Sequence, residues 1–135
     1  MDILQPPGWV RPKGYSNGVV ARGRQVYVSG MIGWDAECRF QTDDFVEQAR
    51  QALENVVAVL REAGAGPEHI VRMTWYVLDR QEYLQAGAAL GAAYRDVIGR
   101  HYPTMSAVQV AALMEERARI EIEVTAVVPD CKEGL

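Results

Sequence analysis

The chain has 135 residues, 49% of them hydrophobic, and a formal net charge of −4. That length suits a single domain spanning residues 1–135, with enough apolar side chains for a core that needs no disulfide or metal. The 14 Lys and Arg residues are scattered without a basic run; an acidic surface repels phosphates, so no nucleic-acid partner is expected.

Residues 1–14 are rich in Pro and Gly and read as an extended lead-in. They hold no positive segment followed by an apolar one, so no secretory signal is expected, and no window of the chain suits a membrane span. The expectation is a cytoplasmic protein, with the widely separated Cys38 and Cys131 as free thiols. Residues 18–22 and 25–29 are β-prone, and Gly23-Arg24 between them is placed for a tight hairpin. Residues 33–39 read as a loop.

Apolar residues then recur at Phe45, Ala49, Leu53, Val56, Val57 and Leu60, the helical period, which predicts a helix over 44–63. Asp44 with Glu47 suits its start and Gly64 its end. Residues 70–78 form a strand that is apolar on both faces and therefore central. Asp79 and Glu82 open a second helix running to about Ile98. A strand over 106–111 and a longer one over 119–128 complete the order ββαβαββ. In the last strand Ile120, Ile122 and Val124 take one side, and Glu121, Glu123 and Thr125 the other. Strands mixed with two helices predict an α+β domain with both helices on one sheet face. The opposite face then needs cover, which points to self-association.

Several short motifs occur together in this order: Gly14-Tyr15-Ser16-Asn17-Gly18, Ser29-Gly30-Met31-Ile32, a helix carrying Gln48 and Leu53-Glu54-Asn55-Val56, Ala63-Gly64, Asp79, Tyr94, Tyr102-Pro103 and Ile120-Glu121-Ile122-Glu123. Their order and spacing over residues 14–129 resemble the Rid family of reactive intermediate deaminases, also called the YjgF family. The resemblance implies a chorismate-mutase-like fold: a mixed sheet with two helices on one face, assembled as a homotrimeric barrel with three clefts between subunits. It also implies a small-molecule ligand and hydrolysis of an imine or enamine.

The chain departs from that family where the chemistry is best known. An arginine that holds the substrate carboxylate in the imine-hydrolysing members corresponds here to Met105, which fills apolar space and binds no carboxylate. A frequent cysteine two positions on is Ala107, an asparagine on the second helix corresponds to Gly91, and the glutamine after Ser-Gly is Met31. The resemblance leaves Glu121 and Tyr15 as candidate catalytic residues. It leaves Ser29, Gly30, Met31, Met105, Ser106 and Ala107 as candidate binding residues.

Each has a plainer reading beside the functional one. Glu121 orients water at the cleft, or it is a solvated strand residue paired with Arg119 or Arg117; Glu123 is its alternative. Tyr15 donates a hydrogen bond at the cleft rim, or anchors the N-terminal segment. Met105 selects a different ligand, or fills core. Trp34-Asp35 reads as a self-packed loop pair, Trp75 as core or subunit contact, and His69 and His101 as surface residues in turns. No metal-ligand cluster and no nucleotide or pyridoxal-phosphate motif stands out, so no metal and no cofactor is expected. The reading is a homotrimer with a small-molecule site between subunits, hydrolysing an imine or enamine other than the usual 2-imino acids. Arg22, Arg72 and Arg100 are conceivable substitutes for the missing arginine. The alternatives are a non-catalytic ligand-binding or protein-interaction trimer and, less favoured by charge, RNA cleavage.

Overall fold

The computed structural model describes residues 1–130; Cys131 lies outside the described residues, and Cys38 is an exposed free thiol. In chain order the elements are β1 (Asp2–Leu4), β2 (Gly18–Val20), β3 (Arg24–Ile32), α1 (Phe45–Glu62), β4 (Ile70–Val77), α2 (Arg80–Gln85), α3 (Gly87–Val97), β5 (Thr104–Gln109) and β6 (Ile120–Val128). The main sheet runs β3-β6-β4-β5, antiparallel except for the parallel pair β4 and β5. Among the described residues no helix is long and apolar enough to cross a membrane.

The helical period of α1 buries Phe45, Ala49, Ala52, Leu53, Val56, Val57 and Leu60 in one stripe, the face an amphipathic helix offers a sheet. Asp44 caps it, its carboxylate accepting from the Glu47 N–H at 3.0 Å. Gly64, at φ +70°, ends it in the left-handed conformation that glycine adopts without strain. Below α1 lie Ile70, Met73, Trp75 and Val77 of β4 and Ile120, Ile122, Val124, Ala126 and Val128 of β6, all buried. Leu90 and Tyr94 bring α3 to the same core. The expected α+β layering, with helices on one face of a mixed sheet, is what forms.

Three local expectations change. Residues 18–22 and 25–29 do not pair as a hairpin: β2 pairs with β1, inside the expected lead-in, and β3 pairs with β6. Gly23 is needed for a different reason. Its φ is +146°, and a Cβ there would sit 2.1 Å from the Val128 carbonyl oxygen, so it lets β3 start flush against the end of β6. The expected second helix is interrupted at Ala86, giving α2 and α3, where Gly87 follows and no side chain caps the new start. The strand expected over 106–111 is displaced to Thr104–Gln109, the register that sets Thr104 beside Arg72 and Gln109 beside Val77.

Candidate functional site

The cleft lies between residues of α3 and the edge strand β5, which both line it. Met105 pairs with Met73 and Ala107 with Trp75. Paired residues on neighbouring strands point to the same face, so Met105 and Ala107 share the helix side with the buried Met73 and Trp75. Ser16 closes one end. Its N–H donates to the Pro103 carbonyl at 3.0 Å and its hydroxyl to the Tyr102 carbonyl at 2.5 Å, which lays the Gly14–Tyr15 segment along the start of β5. The result is a cavity of about 660 Å³ lined by Tyr15, Trp75, Tyr83, Tyr94, Tyr102 and Met105, with Gly91 and Ala107 supplying no bulk and Lys13 and Arg95 the cations.

One wall is aromatic. Tyr94 stacks on Tyr102 with ring centroids 5.7 Å apart, and Trp75 meets Tyr83 edge-on at 6.3 Å and Tyr94 at 6.5 Å. Burial pushes the Tyr83 and Tyr94 phenols up, away from ionisation. The Tyr94 hydroxyl donates to the His101 carbonyl at 2.6 Å.

Glu121 lies elsewhere. It pairs with Tyr76 in β6–β4, on the sheet face opposite the buried Ile120 and Ile122, and so away from Met105 and Ala107. Ser106, paired with Thr74, shares that outer face. Within one chain the candidate site residues therefore fall into two halves, Tyr15, Met105 and Ala107 at the cleft, and Ser106, Gly30 and Glu121 across the sheet. Ser29 is exposed beside Gly30, at the irregularity between Val28 and Met31. Met31 packs against the core and is not a cleft residue.

Glu121 is free of the ion pairs expected for it. Arg119 bonds Glu82 at 2.6 Å, and Arg117 bonds Asp43 at 2.9 Å, so among the described residues the Glu121 carboxylate has no cationic partner. Gly30 makes room for it: a Cβ on Gly30 would lie 2.1 Å from Glu121 Oε2. Gly30→Ala is therefore expected to swing the carboxylate aside while changing stability by no more than about 0.5 kcal/mol, since a flexible side-chain end gives way cheaply. Comparing its urea midpoint with its turnover checks this; a large fall in the midpoint contradicts it.

The remaining candidates have local roles. Asp35 accepts from the Arg39 and Glu37 N–H groups at 3.0 and 2.9 Å, bonds that hold its carboxyl below the usual range, and Trp34 packs on Phe40. His101 contacts the Ile70 carbonyl at 2.7 Å, and His69 Nδ1 accepts from the Gly66 N–H at 3.0 Å. Both rings are backbone clips. Trp75, 2% exposed, is core and also cleft wall. Arg22, Arg72 and Arg100 do not line the cleft; the cleft arginine is Arg95, carried by α3, which no local motif marks. Among the described residues no group of three or more His, Cys, Asp or Glu is placed to hold a metal.

A family model described as endoribonuclease L-PSP matches residues 10–128. The chain is 35% identical over 130 residues to the putative reactive intermediate deaminase TdcF of Escherichia coli K12, covering 94% of this chain and 95% of that protein. It is 32% identical over 128 residues to the human 2-iminobutanoate/2-iminopropanoate deaminase, covering 94% and 88%. Among solved structures, YyfB of the conserved Rid protein family from Yersinia pestis superposes with a TM-score of 0.83 at 29% identity, covering 94% of this chain and 98% of that one.

Proposed function

The chain belongs to the endoribonuclease L-PSP family, the Rid family of its relatives, and from that premise we infer that it is a homotrimer hydrolysing an imine or enamine, other than the usual 2-imino acids, in a cleft between subunits. The observation that carries this is the unpaired Glu121 carboxylate seated against Gly30, combined with a cleft whose Met105 offers no cation. The two halves of the site lie on opposite sheet faces, so a complete site draws Glu121 from one copy and the Tyr15–Met105 cleft from its neighbour. Assembly is favoured by what one copy leaves open: β3 and β5 are the edges of the main sheet, β5 bridged only at Thr104 by Ser16, and Tyr27 is 70% and Val108 45% exposed.

The chemistry follows from these groups. Glu121 accepts a proton from water as the oxygen adds to the C=N carbon, forming a carbinolamine. From the protonated imine this carbinolamine is neutral; Glu121 returns the proton to its nitrogen, and as the C–N bond breaks and ammonia leaves, Glu121 takes the hydroxyl proton, so that a carbonyl remains. An enamine first takes a proton on carbon to become the imine. Tyr15 at the rim donates to the electrophile.

Freshly generated 2-iminopropanoate and 2-iminobutanoate test the role of Met105. Wild type is expected to release no ammonia above background, and Met105→Arg to gain release, because the guanidinium restores a two-pronged carboxylate clamp. Activity in wild type overturns the reading of Met105. A second reading, a ligand-binding trimer without turnover, is favoured by the same methionine, and holds if ligands bind while neither protein releases ammonia.

A further inference from the structure

The cleft described above, taken as the ligand site of the proposed hydrolase, carries its own statement of substrate class. Its volume of about 660 Å³ suits a ligand far larger than a three- or four-carbon acid. Its wall is a connected set of four aromatic rings, Trp75, Tyr83, Tyr94 and Tyr102, the surface that favours a planar apolar group by stacking and edge-to-face contact. Trp75 lines the cleft, and its indole N–H is buried without a hydrogen-bond partner among the described residues, a deficit that an acceptor reaching it would relieve.

The cleft also holds two cations, Arg95 and Lys13, and neither makes a salt bridge among the described residues. The Arg95 guanidinium lies back over Gly91: a Cβ there would sit 3.3 Å from Nη1. A side chain at 91 would therefore crowd the guanidinium at its present place beside the cleft, which both residues line.

We propose that Arg95, assisted by Lys13, is the carboxylate clamp of this cleft, and that the ligand is a monocarboxylate bearing an aromatic or similarly planar apolar group that rests on the Trp75–Tyr83–Tyr94–Tyr102 wall. Cation and ring wall select together: small acids gain only the first and neutral aromatics only the second.

The test uses the full chain and an unreactive pair, 3-phenylpropanoate and 3-phenylpropanamide, by calorimetry. Wild type binds the acid at least about tenfold more tightly than the amide and than propanoate; Arg95→Gln brings acid and amide within about twofold and leaves the amide unchanged. The Trp75 indole N–H resonance, assigned by elimination with Trp9→Phe and Trp34→Phe, shifts on titration with the acid. Equal binding of acid and amide by wild type, a ratio that survives Arg95→Gln, propanoate binding as well as 3-phenylpropanoate, or a Trp75 resonance that stays still each overturn the proposal. Ammonia release is read separately. A chain that turns over imines but ignores Arg95→Gln keeps the hydrolase reading and loses this one; a chain that clamps the acid through Arg95 but releases no ammonia does the reverse.

Discussion

Glu121→Gln is expected to lower ammonia release by about 10²- to 10⁴-fold, the range contributed by a positioned general base; the first substrate to assay is 2-imino-3-phenylpropanoate, which differs from the usual small 2-imino acids in carrying the ring that the proposed Arg95 clamp and aromatic wall select together. Ligand affinity should stay within about twofold, because the amide keeps the shape of the carboxylate while losing its ability to take a proton. The carboxylate that is lost has no other duty: it sits against Gly30, and the neighbouring Arg117 and Arg119 are committed to Asp43 and Glu82. No ion pair is broken, so a loss of turnover cannot be charged to unfolding. Mixing makes the test sharper. Gly91→Leu fills the cleft from α3 without touching Glu121. In trimers reassembled from equal amounts of Glu121→Gln and Gly91→Leu chains, a ring of heterologous interfaces leaves about a quarter of the sites with an open cleft from one copy and an intact carboxylate from the next. Activity returning to roughly that level supports a shared site; a mixture as inactive as its parents sinks it. Turnover by Glu121→Gln at the wild-type rate removes Glu121 from the mechanism and turns attention to Glu123, which accepts a hydrogen bond from the Tyr76 hydroxyl at 2.5 Å.

What the residue order made legible was whatever depends on near neighbours. The 3.6-residue stripe of α1 and the alternation of β6 were visible because burial on one face writes its period directly into the sequence; the buried and exposed sides of β6 fall as Ile120, Ile122 and Val124 against Glu121 and Glu123 predict. Pairing was a different matter. Residues 18–20 have the right composition for a strand, but composition does not choose a partner, and the hairpin inferred from Gly23-Arg24 gave way to pairing with Asp2–Leu4. The interruption at Ala86 was hidden in the same way, in a run of Ala and Gly that fits a continuous or a broken helix equally well.

The site was legible only in pieces. Motif order brought Tyr15, Met105, Ala107, Gly30 and Glu121 forward, and the pleat then sorted them onto two faces, a separation that a one-dimensional motif does not display. Arg95 carries no signal in the residue order, because only the fold brings its helix to the same cleft as Met105 and Ala107. The ion pairs supposed for Glu121 were drawn from arginines close by in sequence, yet those arginines reach α2 and the loop before α1 instead.

Gln48→Leu is expected to cost about 2–4 kcal/mol, although Leu is of similar size and the position is fully buried. An apolar residue would ordinarily be welcome there. Here the Gln48 amide donates to the Thr42 and Arg117 carbonyls, each at 3.0 Å, and its oxygen accepts from the Arg119 N–H at 2.8 Å. One side chain thus satisfies three backbone groups in the approaches to α1 and β6. Leucine leaves all three without a partner, and a buried unpaired donor or acceptor keeps its full desolvation cost. Gly33 tightens the same joint, since a Cβ there would lie 2.7 Å from the Gln48 Cα, so the helix has no slack with which to readmit water. Urea unfolding at fixed chain concentration checks this, because the midpoint of an oligomer moves with concentration: the midpoint should fall with an unchanged slope. The joint also fixes the start of β6 two residues before Glu121, so turnover at a temperature where the variant is still folded should fall as well. A midpoint within about 0.5 kcal/mol of wild type means that solvent reaches these three groups, and that something other than Gln48 holds β6 in the register on which Glu121 depends.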